Sequence, residues 1–280
     1  MLKQRIITAL VLLAVLLAVL FYPSVWAFPL FMVVVVTAAA WEWARLSGYT
    51  GVSAWLPPVL ALIGCVVMLV LGWHQAGWAG LRMLASAWVL VWTVLAIGLL
   101  SQGVPVWQRV PRGLRMAGGL LTLWMAWLGA VQLHGQRGVW YLLSALAMIW
   151  VADIGAYFAG RAFGKKKLAP TISPGKSWAG VYGGVLAVLV LVVAGALFLP
   201  KGQFFYEDVI SHLGWGALLL LAVAITALSV MGDLVESLMK RSMGMKDSSQ
   251  LLPGHGGLLD RVDSLLPVLP AALACMLWMQ

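Results

Sequence analysis

WAGVYGGVLAVLVLVVAGALFL, residues 178–199, runs for 22 residues without one charged side chain. An α-helix rises about 1.5 Å per residue, so about 20 apolar residues cover the hydrocarbon core of a bilayer. The stretch reads as a membrane span, and the rest of the chain repeats it. Of 280 residues, 63% are hydrophobic and 10% charged, and the mean hydropathy is +0.98. A soluble domain carries roughly a quarter charged residues. The expected fold class is therefore all-α, a polytopic integral membrane protein with the lipid bilayer as its main partner.

Nine apolar segments are expected as spans: 6–22, 24–41, 55–72, 83–100, 117–133, 139–159, 178–199, 212–232 and 264–279. The first, after MLKQR, resembles a secretory signal, but no small-x-small cleavage site follows, and it reads as an uncleaved span. The first two are joined so closely that a short hairpin is an alternative, and the last is short. Nine crossings sort the basic residues into two groups. One side collects 15 of them: Lys3, Arg5, Arg45, Arg109, Arg112, Arg115, Arg161, Lys165, Lys166, Lys167, Lys176, Lys240, Arg241, Lys246 and Arg261. The other collects Arg82, Arg137 and Lys201. The positive-inside rule makes the first side cytoplasmic, with the N-terminus inside and the C-terminus outside. The net charge of +9 is then a property of that face, topogenic and attractive to anionic lipid. It calls for no nucleic-acid partner.

Cys65 and Cys275 lie in separate apolar runs and suggest neither a disulfide nor a metal site. Trp26, Trp41, Trp43, Trp73, Trp107, Trp140 and Trp178 stand near span ends and read as interfacial anchors. Arg109, Arg112 and Arg115 read as topogenic. About four N-terminal spans, residues 1–110, precede a region, 111–280, that carries two unusual loops, 160–177 and 233–263.

The first loop follows Asp153, an ionisable group in an apolar segment, which is costly unless it faces protein or a wet cavity. Lys165 to Lys167 come next. Then Ser173-Pro174-Gly175-Lys176-Ser177 opens a span, an arrangement suited to phosphate at a helix N-terminus, although it is not a Walker A loop. In the second region Asp233, Glu236 and Lys240 share one helical face by their spacing. Asp260 and Asp263 repeat the three-residue spacing. Clustered carboxylates without cysteine suit a hard cation such as Mg2+, and Lys240, Arg241, Lys246 and Arg261 add positive charge for phosphates. Pro253 and the glycines of PGHGG permit a tight backbone turn. His255, at its centre, reads more readily as a hydrogen-bonded structural residue than as a ligand. The residues alone point to a Mg2+-dependent, phosphate-handling enzyme at the membrane surface.

These motifs resemble a known family. Ser237-Leu-Met-Lys240-Arg241, Lys246-Asp247, Pro253-Gly-His255-Gly-Gly257 and Asp260-Arg261-Val-Asp263 look like the signature of the phosphatidate cytidylyltransferases (CDP-diacylglycerol synthases). Asp153, Gly155-Ala-Tyr157, Gly164-Lys165, Lys167-Leu-Ala-Pro170 and Ser173-Pro-Gly-Lys176 extend the likeness. It implies that CTP and phosphatidic acid give CDP-diacylglycerol and pyrophosphate, for phospholipid biosynthesis in a bacterial-type inner membrane. It also implies Asp233 and Asp260 as metal ligands, with Glu236 behind them and Asp263 orienting water or lysine. Asp233, Lys246, Asp260, Arg261 and Asp263 form the implied catalytic set. Lys165, Lys167, Ser173, Lys176, Lys240, Arg241, His255 and Gly256 form the implied substrate-binding set. Mg2+ is the implied cofactor, with room for a second, monovalent ion such as K+, and a homodimer is the implied assembly. One departure stands at Ala179, where many relatives carry an acidic or amide side chain. Two other readings compete: a CTP-dependent kinase of lipid alcohols, polytopic as well, and an ion-coupled transporter. The transporter fits less well, because the charges gather at one interface and the centres of 178–199 and 212–232 have none.

Overall fold

The computed structural model describes residues 2–74 and 79–280, without the side chains of 2–6, 9 and 79. Lys3 and Arg5, counted on the basic face, therefore have side chains outside the described residues. The elements run α1 (Leu2–Phe21), α2 (Ala27–Leu46), a 3-10 turn (Gly51–Trp55), α3 (Leu56–Val70), α4 (Ala79–Gln102), α5 (Val106–Arg109), α6 (Arg112–Arg137) and α7 (Val139–Phe163). They continue with the strands β1 (Lys167–Ala169) and β2 (Ser173–Ser177), then α8 (Trp178–Phe198), α9 (Phe205–Ser242), α10 (Leu259–Val262) and α11 (Leu265–Trp278). Eight stretches among the described residues are long and apolar enough to cross a membrane, and α1 adds a shorter apolar run, Leu10–Phe21. The protein is an all-α, multi-pass membrane protein. Helices suit this solvent because they satisfy their backbone polar groups internally.

Outward-facing Leu90, Val94 and Ile97 of α4 are exposed, as lipid contact requires, while Trp127, Leu128 and Leu133 of α6 are buried. Small residues set the closest helix contacts. A Cβ on Gly129 of α6 would lie 2.6 Å from the backbone of Leu269 in α11. Between α7 and α8, a Cβ on Gly180 would lie 2.9 Å from the Ala156 carbonyl, and one on Gly184 2.9 Å from that of Ala152. The α7–α8 pair therefore packs backbone against backbone, which fixes the hairpin between them.

The bundle has two distinct ends. At one, Thr8 Oγ1 donates to the Pro253 carbonyl (3.0 Å), and the Gln108 amide donates to that of Ser242. At the other, Arg137 pairs with Asp208 (3.4 Å) and Gln280 Nε2 donates to Gln136 Oε1 (2.8 Å). Arg261, bonded to the His255 carbonyl close to Pro253, stands at the first end, and Arg82, stacked on Trp278, stands with Arg137 at the second.

Several expectations are corrected. Trp43 and Trp107 are buried, not interfacial. Their indoles donate to the carbonyls of Arg115 (2.9 Å) and Leu46 (2.7 Å), which lock α2 to the α5–α6 corner. Arg115 is likewise more than a topogenic charge. It is buried, and its guanidinium donates to the carbonyls of Val110, Ser47 and Gln108. The span expected at 212–232 is one helical run of 38 residues, broken only at Gly214 (φ 81°). Its last turns continue to Ser242, so Asp233, Glu236 and Lys240 share a helix as their spacing suggests, and the loop expected from 233 begins after Ser242. Ser173–Ser177, expected as a loop, is a strand paired with β1 that leads directly into α8. The Ser177 hydroxyl itself caps α8, accepting from the Gly180 N–H at 3.2 Å.

Candidate active site

The site forms where the end of α9 meets the returning chain before α11. On α9, Ser237 Oγ donates to Asp233 Oδ1 (3.2 Å), and one turn on, Lys240 Nζ lies 2.5 Å from Glu236 Oε2. The same ammonium lies 2.6 Å from Asp260 Oδ1. Neither Glu236 oxygen meets an aligned hydrogen-bond donor among the described residues, so Lys240 holds it by charge. Gly232 permits the crossing that makes this possible. A Cβ there would lie 2.5 Å from the Asp263 carbonyl and 3.1 Å from the Pro267 ring.

The chain between α9 and α10 folds back as the turn-forming residues require. Gly244 (φ 68°) ends α9, and Gly254 (φ 77°) and Gly256 (φ 83°) occupy conformations that side chains disfavour. The Leu252 N–H donates to the Gly256 carbonyl at 2.8 Å. Asp260 then collects the Gly257 N–H at 2.7 Å, the Ser248 N–H at 3.0 Å and the Ser248 hydroxyl at 3.1 Å. Gly256 serves this carboxylate sterically, since a Cβ on it would stand 2.9 Å from Asp260 Oδ2.

A further carboxylate lies beneath the loop. Glu42 of α2 is completely buried and accepts from the Ser248 hydroxyl (3.2 Å), the Ser249 hydroxyl, the Leu258 N–H (2.9 Å) and the Leu259 N–H. The sequence reading missed Glu42 because the residue stands just past the expected end of the second span. The available signal was an acidic residue inside AAAWEWARL, an expensive position unless it is paired.

From the opposite wall, β2 brings Lys176 Nζ to 2.6 Å from Asp233 Oδ2. Two cavities meet along this line. A polar cavity of about 230 Å3 is lined by Asp153, Asp233, Asp260, Arg261, Asp263 and Trp150, among others. An apolar cavity of about 440 Å3 opens between α7, α8 and α9, with Lys176, Ser177, Arg161 and Tyr157 on its rim. Asp153 and Asp233 line both. Asp153, whose role the sequence left open, is thus a shared wall.

The remaining candidates are distributed unevenly. Arg261 lines the polar cavity, and its Nη2 donates to the His255 carbonyl at 2.7 Å. Asp263 is buried, with Oδ1 accepting from the Ser264 N–H at 2.7 Å. Glu236 lies behind Lys240, and neither residue lines a cavity. Ser173 is half-buried in β2, while Lys165, Lys167, Lys246 and Arg241 are exposed and line neither cavity. His255 is half-buried, and its Nδ1 has no hydrogen-bond partner among the described residues.

The donor set bears on a metal. Asp153, Asp233, Asp260, Asp263 and Glu236 are five carboxylates facing the three cations Lys176, Lys240 and Arg261. Oxygen donors around a polar cavity fit Mg2+, which keeps several waters and binds through one or two carboxylates together with substrate phosphates. Among the described residues no three carboxylate, histidine or cysteine groups converge into a closed cage, and Mg2+ does not need one.

Sequence comparison shows the family of the chain. Residues 3–279 match the cytidylyltransferase family. A phosphatidate cytidylyltransferase of Pseudomonas aeruginosa is 43% identical, covering 99% of this chain and 97% of the relative. One from Haemophilus influenzae is 36% identical, covering 96% of each chain. One from Brucella suis is 35% identical over 95% of this chain and 89% of the relative. The family match extends from the first helix to the last, and the chain therefore belongs to the cytidylyltransferase family.

Proposed function

We propose that the protein transfers the cytidylyl group of CTP to phosphatidic acid, giving CDP-diacylglycerol and pyrophosphate. The observation that carries this reading is the junction of the two cavities. A carboxylate-lined polar pocket, suited to a metal-bound triphosphate, shares the wall Asp153–Asp233 with an apolar pocket open between helices, suited to a lipid. The names of the relatives supply the substrates.

A phosphatidate oxygen attacks the α-phosphorus of CTP, the α–β phosphoanhydride bond breaks, and pyrophosphate leaves. Such transfers depend on positioning and charge neutralisation more than on a protein nucleophile. Asp233 and Asp260 would hold Mg2+, with Asp263 beside them, and the ion when bound supplies neutralisation of phosphate charge. Arg261 meets phosphate oxygens at the polar cavity. Lys176 lines the apolar cavity and pairs with Asp233 on the shared wall, so it is placed to meet a substrate phosphate there. Lys240 orients Asp260, and Glu236 holds Lys240. Lys246, Arg241, Lys165 and Lys167 remain in the outer field that draws anionic substrates to this end of the bundle.

We place the N-terminus and the site on the cytoplasmic side. The support is the crowding of basic residues at the end where Thr8 meets Pro253. A homodimer remains part of the proposal, carried by the family resemblance alone.

The reading is tested with purified protein in detergent micelles, measuring pyrophosphate release. Release that requires both CTP and phosphatidic acid, stops with EDTA and returns with Mg2+ supports it. Release from CTP without the lipid, or release unaffected by EDTA, contradicts the respective half.

A further inference from the structure

A carboxylate with four donors lies outside both cavities. Glu42 is completely buried on α2, 206 residues before Ser248 in sequence. Its two oxygens divide four donors evenly. Oε1 takes the Ser249 hydroxyl and the Leu258 N–H, and Oε2 takes the Ser248 hydroxyl and the Leu259 N–H. The two amides belong to the residues directly before Asp260. Ser248 also joins the two carboxylates. Its oxygen lies 3.2 Å from Glu42 Oε2 and 3.1 Å from Asp260 Oδ2, while its backbone N–H stays on Asp260. One hydroxyl proton serves both acceptors, so a shift of either carboxylate is felt by the other. Gly257 closes the arrangement, since a Cβ there would stand 2.6 Å from Glu42 Oε1.

We propose that Glu42 is a positioning residue for the transfer reaction: it clamps both ends of the signature loop and thereby aims Asp260 at the polar cavity. Glu42 lines neither cavity and touches no substrate, so its effect passes through the loop. A carboxylate suits this role for a geometric reason. Each of its oxygens must accept from one backbone N–H. A glutamine presents its NH2 group to one of those amides in either flip, so it sets donor against donor. An aspartate keeps the acceptors but withdraws them by one methylene.

The test uses the full-length protein in detergent with Glu42→Gln, Glu42→Asp and Ser249→Ala. Hydrogen exchange is followed peptide by peptide, and kcat and KM are measured per folded molecule. Glu42→Gln is expected to speed exchange over residues 246–262 alone. It should lower kcat at least about tenfold, the scale on which small misplacements act, with KM for phosphatidic acid changed less than about twofold. Glu42→Asp should recover part of that kcat. Ser249→Ala, which removes one donor from Glu42 and none from Asp260, should fall between wild type and Glu42→Gln.

A Glu42→Gln protein with kcat within about twofold of wild type would overturn the proposal. So would exchange that rises throughout the helices in step with lost activity, the mark of a residue that merely supports the fold. The inference rests on the cytidylyl-transfer reading. An inactive wild type would overturn that reading, whereas an active wild type with an unaffected Glu42→Gln overturns only the role of Glu42.

Discussion

Lys240 Nζ stands between two carboxylates, 2.5 Å from Glu236 Oε2 and 2.6 Å from Asp260 Oδ1. One carboxylate belongs to its own helix and the other to the chain that returns 20 residues later. The lysine thus converts the helical spacing of α9 into a fixed position for Asp260. Removing it leaves Glu236 buried without a counter-charge, which costs about 3–5 kcal/mol for a buried pair broken on one side. Lys240→Met is expected to lower the melting temperature measured by tryptophan fluorescence. Lys240→Met with Glu236→Gln should regain much of that loss without regaining turnover.

Asp233 and Asp260 should respond differently to the same substitution. Asp233 accepts from Ser237 and pairs with Lys176 at a partly exposed position. Asp233→Asn should therefore abolish pyrophosphate release with little loss of folded protein. Asp260 also collects the Gly257 and Ser248 amides. Asp260→Asn should be equally inactive and in addition less stable by about 1–3 kcal/mol, the cost of disturbing buried hydrogen bonds. Lys166 is exposed and lines neither cavity, so Lys166→Ala should retain turnover within about twofold.

Lys176 and Asp233 test the hairpin. Both side chains are about a quarter to a third exposed, and an ion pair of this kind contributes at most about 1 kcal/mol. Lys176→Ala should leave the melting temperature nearly unchanged while raising KM for CTP or phosphatidic acid severalfold. The substrate whose KM moves is the one that this lysine meets. A large loss of stability with normal KM values would assign Lys176 a structural role instead.

Much of this was legible in the sequence, for physical reasons. Spans announce themselves because lipid demands long apolar helices, and Asp233, Glu236 and Lys240 announce a shared face because helical spacing is fixed. The turn at PGHGG follows from glycine's access to positive φ, found at Gly254 and Gly256. What stayed hidden depends on contacts between distant segments. Nothing in the local sequence of Lys240 says that it faces Asp260 rather than a phosphate. Nothing around Trp43 and Trp107 distinguishes a buried indole bonded to a carbonyl from an interfacial one. The strand at Ser173–Ser177 was obscured by the proline and glycine within it, residues disfavoured in strands and tolerated at an edge. Glu42 was hidden by a boundary placed at residue 41, five residues before the helix ends at Leu46.

Close helix packing gives a prediction independent of the chemistry. A Cβ on Gly183 would strike Ala159, while one on Gly98 of α4 meets nothing within 4 Å. Gly183→Ala should destabilise by about 1–3 kcal/mol, the usual cost of overpacking, and loosen the hairpin that carries Lys176. Gly98→Ala should be neutral or stabilising by at most about 1 kcal/mol. Thermal unfolding of the two variants side by side checks both.

The central claim is that the α-phosphorus of CTP goes to the lipid. Purified protein with phosphatidic acid and CTP labelled at either the α or the γ phosphorus decides it most directly. The account predicts α label in the extracted lipid and γ label in released pyrophosphate. Gamma label in the lipid would contradict it and make the protein a CTP-dependent kinase.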